Sequence, residues 1–443
     1  MISPDLRYGR ILQVAMPLVL GGIGQTVINA TDTAFLGHMP NPEVAIGASA
    51  IGGLFYVTFF MLALGFAIGL QIVVARLDGE GKKLGIGPVI DHGVYFLAAL
   101  AVLLFLILKI FGAILVGWFV QSEAIRQATV EFLSTRSYGI FFGLGALVFR
   151  AFFTGIGDTK IVTYTTLISA VGNIVLNYVF VFGHGVEPMG IAGSGLASTI
   201  SEAGATVFAF AYTRRRVVRS DYALFAWPKP SRGVFREIFQ VAVPLMFQVY
   251  ISLWSWFIFF LIVEKMGQRP LAISNLVRNV YMVLMIPLMG FSNATNTLVS
   301  NLLGQGRGKE VPALVLRLCV LSLAFSGALV LLNLLSPQFL LSIFTQDASL
   351  MAETVGCIWV ISGSLLLFSI VYILLSAVSG SGKTGASLAI ESITLVFYLF
   401  ASWYMAVYRH ASIEWVWSVE YVYFLIMGIL CWWYLQYKVL NKA

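Results

Sequence analysis

The sequence predicts an all-α integral membrane protein, with twelve transmembrane helices in two pseudo-symmetric six-helix bundles and both termini in the cytoplasm. Three observations predict this fold. Apolar residues make up 59% of the 443 residues and charged residues only 11%, with a mean hydropathy of +0.90. The apolar residues fall into twelve runs that are each long enough to cross a bilayer. The two halves of the chain also resemble each other in sequence.

The composition excludes a water-soluble protein, because soluble chains carry about 25% charged residues to cover their surface. It therefore excludes a soluble enzyme, and it argues against a nucleic-acid partner. The formal net charge of +7 is better explained as a topology signal. Three cysteines, Cys319, Cys357 and Cys431, lie far apart in apolar runs, so we expect them to be thiols in the core.

Polar breaks divide the apolar residues into individual spans. The twelve spans lie near residues 11–38, 45–75, 88–112, 125–150, 160–183, 190–213, 236–264, 271–301, 311–335, 350–378, 385–408 and 416–437. With the N-terminus inside, nineteen Lys and Arg residues fall in cytoplasmic segments and four in outer loops. This asymmetry is what the positive-inside rule requires of twelve spans with both termini in the cytoplasm.

Short sequences recur between the two halves at offsets of 225 to 227 residues. Residues 11–17 recur at 238–244, 79–81 at 304–306, 119–121 at 344–346, and 155–157 at 380–382. The longest polar stretch separates the halves, which predicts an N-terminal lobe over 1–213, a basic cytoplasmic linker over 214–235 and a C-terminal lobe over 236–443. Six spans is an even number, so both halves enter the membrane from the same side and the repeat is parallel. In secondary transporters such repeats place the substrate path between the halves.

The N-terminal half carries polar side chains at helical spacing on three spans. They are Gln25, Asn29 and Asp32 on span 1, Ser169, Asn173 and Asn177 on span 5, and Ser194, Ser198 and Glu202 on span 6. Carboxylates within a bilayer are costly, so each one is a functional hypothesis. Their oxygens, with those of the amides and hydroxyls, suit a hard cation or a transported proton. The alternative is that the stripes only join helices through hydrogen bonds.

The C-terminal half differs at the matching positions. The residue at the offset of 227 from Asp32 is Phe259, and its span is rich in aromatic residues such as Trp254. Aromatic rings in a cavity wall bind flat organic cations, with contact to lipid as the alternative role. Two charged residues, Arg278 on span 8 and Glu391 on span 11, either pair with each other or line the cavity.

Residues 380–384 look like the end of a phosphate-binding loop, but the full pattern needs glycine where this chain has Ala377, and it needs a preceding strand. The equivalent residues 155–159 form a short turn between spans. We therefore do not predict an ATPase. The sequence contains no other catalytic constellation, which argues against an enzyme.

Taken together, the motifs resemble the multidrug and toxic compound extrusion (MATE) family, specifically its prokaryotic, DinF-like branch with an ion site in the N-terminal lobe. The matching residues are Pro17, Gln25, Asp32, Thr33 and Gly37 on span 1, Gly155 to Lys160, Asn173 and Asn177 on span 5, Gly193 to Ser198, Pro287, Gly290, Gly304 and Gly306. The resemblance covers essentially the whole chain.

The resemblance implies a monomeric, multi-pass antiporter of the inner (cytoplasmic) membrane, in contact with the lipid bilayer and without a tightly bound cofactor. It would exchange inward-flowing Na⁺ or H⁺ for small, drug-like and often cationic compounds by alternating access. A lipid-linked saccharide flippase of the same superfamily is the alternative function. A flippase is expected to put several cations in its cavity to meet an anionic headgroup. The acidic N-terminal half favours a cationic cargo instead.

Carried over residue by residue, the ligands of the coupling ion are Asp32, Asn173, Asn177 and Ser198. Na⁺ is the preferred ion, at Asp32, Asn173 and Asn177, with H⁺ as the alternative. Two departures stand out, because the family usually has Asp where this chain has Asn177 and Thr where it has Ser198. We expect Glu202, one helical turn beyond Ser198, to supply the missing carboxylate. The alternatives are that Glu202 caps a polar contact between helices or pairs with a nearby cation.

Overall fold

The structure is a computed structural model that describes residues 6–217 and 219–439, and its regular elements are helices. The α-helices are α1 (Tyr8–Gly37), α2 (Pro42–Gly79), α3 (Lys83–Phe119), α4 (Glu123–Arg136), α5 (Gly139–Gly155), α6 (Lys160–Phe182), α7 (Gly190–Arg216), α8 (Arg219–Tyr222), α9 (Arg232–Glu264), α10 (Gln268–Leu284), α11 (Ile286–Gly304), α12 (Val311–Leu335), α13 (Pro337–Ser342), α14 (Ala348–Gly380), α15 (Thr384–Trp403) and α16 (Ile413–Tyr434). A 3₁₀ turn, Gly308–Glu310, precedes α12, and π-helical turns, Tyr404–Tyr408 and Leu435–Val439, follow α15 and α16.

Each predicted span corresponds to one helix or to one bent pair of helices. Across the described ranges, 9 helices are long and apolar enough to cross a membrane, and two bent pairs raise the number to 11. One predicted span, residues 190–213, is not among these eleven. It lies in α7, which is 27 residues long. The predicted all-α membrane fold is therefore confirmed, while the cytoplasmic placement of the termini stays a prediction.

Spans 4 and 8 are broken, which the sequence analysis did not predict. Helices α4 and α5 meet at an angle of 50°, and α10 and α11 at 48°. In the second pair, Pro287 lies at the start of α11. Proline lacks a backbone N–H and disfavours a helical conformation in the residue before it, so a break at this point is expected.

The chain forms two compact units whose boundaries lie inside helices. One unit comprises residues 1–19 and 247–443, and the other comprises residues 20–246. The first boundary falls two residues after Pro17 in α1, and the second falls two residues after Pro244 in α9. The two prolines are separated by the repeat offset of 227. Each half of the sequence therefore contributes the first part of its first helix to the unit formed mainly by the other half.

Close helix contacts inside the units repeat the same offsets. A Cβ added to Gly65 of α2 would lie 2.5 Å from the Met246 Cα in α9. A Cβ added to Gly290 of α11 would lie 2.9 Å from the Val19 nitrogen in α1. Gly65 and Gly290 are 225 residues apart, and Val19 and Met246 are 227 apart. Glycine lets the backbones approach closely in both units, so the sequence repeat is also a repeat of packing contacts.

The turns between spans repeat as well. Gly81 and Gly306 have φ values of +72°, and Gly157 and Gly382 have +74° and +80°. Residues with a side chain rarely adopt these angles, which explains why the glycines of these motifs recur at an offset of 225.

Helices α4 and α14 begin at equivalent N-cap residues. The Ser122 hydroxyl accepts a hydrogen bond from the backbone of α4, and the Asp347 carboxylate accepts two from the backbone of α14. The hydrogen bond from the Leu350 amide lowers the pKa of the Asp347 carboxyl below its usual value. Both caps satisfy amide groups that the first helical turn leaves without partners.

The segment before α9 is held on α3 by polar side chains. Asp91, which is fully buried, accepts hydrogen bonds from the backbone N–H groups of Phe225 (3.1 Å) and Trp227 (2.9 Å). The His92 Nε2 accepts from the Ser231 amide at 2.8 Å. This segment is part of the predicted linker over 214–235, of which residue 218 lies outside the described residues.

Candidate functional site

Four of the predicted site residues form one hydrogen-bonded cluster between α1, α6 and α7. The Asn177 Nδ2 donates to the Asp32 Oδ1 at 2.7 Å, and the Ser198 hydroxyl reaches the Asp32 Oδ2 at 3.4 Å. The Asn173 Nδ2 donates to the Ser198 hydroxyl at 3.1 Å. The helical spacing of the polar residues on α6 and α7 explains this meeting, because residues four apart share one face.

The cluster contains two carbonyl oxygens without a hydrogen-bond donor. Asn173 and Asn177 are buried, and the Oδ1 atoms of both have no partner within the described residues. A buried acceptor without a donor costs about 1–3 kcal/mol. Two such oxygens, a half-buried Asp32 carboxylate and a hydroxyl are the oxygen ligands that a hard cation prefers. The donor set therefore fits a small monovalent cation such as Na⁺.

Glu202 has different partners from the cluster around Asp32. Its carboxylate forms a bidentate ion pair with the Arg136 guanidinium, at 2.5 Å and 2.9 Å. The Tyr56 hydroxyl also donates to Glu202 at 3.3 Å, and the guanidinium lies over the Tyr56 ring at 3.7 Å. These contacts correspond to the alternative that Glu202 pairs with a nearby cation, and the carboxylate oxygens are used by these partners.

Two further predicted residues, Gln25 and Asn29, are exposed on α1 and are bonded to each other, with 3.3 Å between Gln25 Nε2 and Asn29 Oδ1. They lie on the same helix as Asp32 without a hydrogen bond to the cluster among the described contacts. Both stay predictions as residues that line a cavity.

The second half of the chain places aromatic rings at three of the four positions that match the cluster, and Ser402 at the position of Asn177. At the repeat offsets, Asp32 corresponds to Phe259, Asn173 to Tyr398 and Ser198 to Tyr423. These three rings are in contact, with centroids 5.7 Å apart for Phe259 and Tyr398 and 5.3 Å apart for Tyr398 and Tyr423. The repeat therefore preserves the meeting of the three helices and replaces three of the four polar side chains with aromatic ones.

The other predicted residues of the second half have separate surroundings. Glu391 is buried and accepts hydrogen bonds from the Gln248 amide at 2.6 Å and from the Ser252 hydroxyl. The Arg278 guanidinium lies 5.1 Å from the centroid of the Phe260 ring. Arg278 and Glu391 therefore have different partners. Trp254 is 45% exposed, which leaves it available as a surface for a flat ligand.

Three residues with polar contacts inside the protein were not predicted from the sequence. They are Arg136 and Tyr56 beside Glu202, and Glu420, which is buried and accepts from the Ser364 hydroxyl at 2.8 Å. Arg136 and Glu420 are ionisable residues in apolar spans, which is a signal for function in itself. Tyr56 gave no such signal.

Comparisons with known proteins agree with this architecture. The family model MatE matches residues 17–179 and 244–404, which are the two halves of the repeat. The probable multidrug resistance protein NorM of Geobacillus kaustophilus is 26% identical over 409 residues, covering 90% of this chain and 86% of that protein.

Solved structures have the same fold. A MOP superfamily transporter from Pyrococcus furiosus superposes with a TM-score of 0.89 at 19% identity, covering 98% of this chain and 96% of that chain. A multidrug resistance MATE family transporter in the outward-facing conformation gives a TM-score of 0.86 at 18% identity, covering 97% of this chain and 95% of that chain.

Proposed function

The chain belongs to the MatE family of transporters and is not an enzyme, and we propose that it exports small organic cations in exchange for Na⁺. The observation that carries the proposal is the cluster around Asp32, in which a carboxylate lies beside two buried carbonyl oxygens without donors. Asp32, Asn173, Asn177 and Ser198 would hold the ion. H⁺ on the Asp32 carboxylate is the alternative.

Exchange follows from competition for one negative charge. Asp32 is the acidic member of the cluster, and it is half-buried rather than enclosed. A bound Na⁺ neutralises the carboxylate and weakens its attraction for a cationic compound, and the reverse holds equally because such coupling is reciprocal. An inward Na⁺ gradient would then drive the cargo outward.

The cargo class is inferred from charge and from relatives. The relative from Geobacillus kaustophilus carries the name of a probable multidrug resistance protein, which supports drug-like compounds as cargo. Arg136, a cation near the cluster, is neutralised by Glu202, so it offers little attraction to an anionic headgroup. We further propose a monomer in the inner membrane, whose two six-helix lobes give alternating access by rocking one against the other.

Efflux from vesicles tests this function. Purified protein is placed in liposomes loaded with ethidium, a flat organic cation, and either a Na⁺ gradient or a pH gradient is imposed. We expect the Na⁺ gradient to drive efflux, and we expect Asp32→Asn to reduce it at least about 100-fold, since one charge in a poorly solvated site is worth several kcal/mol.

The matched control is Thr26→Ala, which removes an exposed hydroxyl that bonds within the same helix and should leave efflux within about threefold. Efflux that follows the pH gradient alone, still with loss in Asp32→Asn, would replace Na⁺ by H⁺. Full gradient-driven efflux by Asp32→Asn would refute the proposed site.

A further inference from the structure

The Arg136–Glu202 ion pair is built into the junction of three helices. Arg136 ends α4, Glu202 lies on α7, and Tyr56 of α2 contacts both side chains. The Arg136 side chain is only 11% exposed, so the pair lies largely away from water. The adjacent Gly139 has no side chain, and a Cβ there would lie 2.1 Å from the Arg136 Nη1 and 3.0 Å from the Glu202 Oε2. The local sequence thus leaves room for the pair.

The pair lies close to the cation cluster. Glu202 follows Ser198 by four residues on α7, which is one helical turn or about 6 Å along the axis. The Ser198 hydroxyl contacts the Asp32 carboxylate, and Arg136 interacts electrostatically with Asp32. A change in the charge of Arg136 or Glu202 would therefore alter the electrostatic potential at Asp32, because the distance is short and little water screens it.

The repeat links the pair to the cluster independently. At the offset of 225, Arg136 corresponds to Ile361 and Glu202 to Met427, and both are buried. Tyr56 corresponds to Tyr281, so the aromatic residue is kept while the two charges are not. In the half where Asp32 becomes Phe259, the ion pair is also replaced. The two charges therefore occur together with the Asp32 carboxylate in one half, and they are replaced together with it in the other.

We propose that the Arg136–Glu202 pair sets the net charge of the cation site to one negative charge. Arg136 neutralises Glu202, so that Asp32 alone determines the affinity and the site takes a monovalent cation. Arg136 and Glu202 are positioning residues, since among the described contacts neither hydrogen-bonds to a residue that would hold the ion. This inference rests on the proposed function, because it assumes that Asp32 binds Na⁺.

The test compares two substitutions that we expect to change the Na⁺ dissociation constant in opposite directions. Na⁺ binding to the purified full-length protein is measured by calorimetry at pH 8. Glu202→Gln leaves the Arg136 charge uncompensated near Asp32, so we expect the Na⁺ dissociation constant to rise about tenfold or more. Arg136→Gln leaves a second carboxylate, so we expect a fall in that constant and the appearance of Ca²⁺ binding. The double variant Arg136→Gln/Glu202→Gln should return to within about threefold of wild type.

Two sets of controls separate charge from folding. Gly139→Ala displaces the flexible Arg136 side chain and keeps both charges, so it should weaken Na⁺ binding less than Glu202→Gln does; Gly53→Ala, where a Cβ meets nothing within 4 Å, should have no effect. A second bidentate pair, Arg269 with Glu353, lies in the other unit. Replacing either residue of this second pair by glutamine should leave Na⁺ binding unchanged.

Changes of the same sign in both single variants, without recovery in the double variant, would show a structural role and overturn the inference. If Asp32→Asn abolishes Na⁺ binding while the charge variants match wild type, this inference fails and the proposed function stands. Na⁺ binding that persists in Asp32→Asn, or is absent from the wild-type protein, would contradict both.

Discussion

Asn177 contributes to the site in two ways, as a donor to Asp32 and as a buried oxygen without a donor of its own. The sequence identified the residue through a family pattern in which aspartate is usual, and the structure shows what the amide provides instead. An Asp at this position would place two carboxylates about one hydrogen bond apart, which favours protonation of one of them. The amide leaves a single charge and adds a neutral oxygen ligand.

Replacing this amide should weaken ion binding specifically. Asn177→Ala removes one oxygen ligand and a donor to the carboxylate, and hydrogen bonds to charged groups are worth roughly 1.5–3 kcal/mol. We expect the Na⁺ dissociation constant to rise about 10- to 100-fold in a calorimetric titration.

The matched control for this substitution is Asn333→Ala in the other half. Asn333 is also buried, donates to Ser362 and has an Oδ1 without a partner among the described residues. The same truncation there should lower stability and leave Na⁺ affinity unchanged. Equal losses of affinity in the two variants would contradict a site at Asn177.

At the scale of single elements, α3 matters because it holds the segment that leads into α9. Asp91 and His92 accept three backbone hydrogen bonds from this segment, and the Tyr95 hydroxyl donates to the Pro228 carbonyl at 3.0 Å. Non-glycine residues of the same segment, Phe225 and Trp227, have φ values of +58° and +49°. Such angles are costly for residues with side chains, so the side chains of α3 must stabilise them.

Removal of the Asp91 carboxylate should release this segment. We expect Asp91→Ala to cost about 3 kcal/mol, since two backbone donors lose a charged acceptor. Limited trypsin digestion should then cut after Arg232 several times faster than in wild type, whereas Lys229 is protected by the proline that follows it. Asp158→Ala, which removes an exposed carboxylate, serves as the control, and equal digestion of the two variants would show that Asp91 does not hold the segment.

At the scale of the whole molecule, the two units are related by the repeat, and their internal contacts can be tested in pairs. Gly65→Ala would force a Cβ against the backbone of Met246, and Gly290→Ala would force one against the backbone of Val19. Backbone atoms cannot move aside without disturbing their helix, and overpacking of this kind lowers the free energy of unfolding by about 1–3 kcal/mol. Both variants should therefore show a lower melting temperature in detergent.

Gly53→Ala is the control for these two variants, because it lies on the same helix as Gly65 and a Cβ there meets nothing within 4 Å. It should melt at or slightly above the wild-type temperature, since alanine favours a helix over glycine by about 1 kcal/mol. A lower melting temperature for only one of the two packing variants would contradict the equivalence of the contacts.

Much of this fold could be predicted from the sequence, because long apolar runs and repeated motifs can be recognised from residues that are close together along the chain. The twelve spans, the repeat and the cluster of Asp32 with Asn173, Asn177 and Ser198 all follow from spacing along single helices and from the family motifs. The partner of Glu202 could not be predicted in this way. Arg136 lies on another helix, and only the approach of α4 to α7 brings the two charges together.

The bend at span 4 was equally out of reach, because hydropathy carries no information on direction and no proline lies at that break. Span 8 does carry a sequence signal in Pro287, which a division into apolar runs does not use. The unit boundaries near Pro17 and Pro244 were also not predicted, since a continuous helix gives no sign in sequence of which neighbours its first turns contact.

We propose that the chain has one cation site, at Asp32, and that the buried carboxylates of the other half are not part of it. Calorimetric titration of the purified protein with Na⁺ tests this most directly, across wild type, Asp32→Asn, Glu391→Gln and Glu420→Gln. We expect one Na⁺ per chain in wild type and in both glutamate variants, and none in Asp32→Asn. Loss of binding in Glu391→Gln or Glu420→Gln, with binding retained in Asp32→Asn, would contradict it.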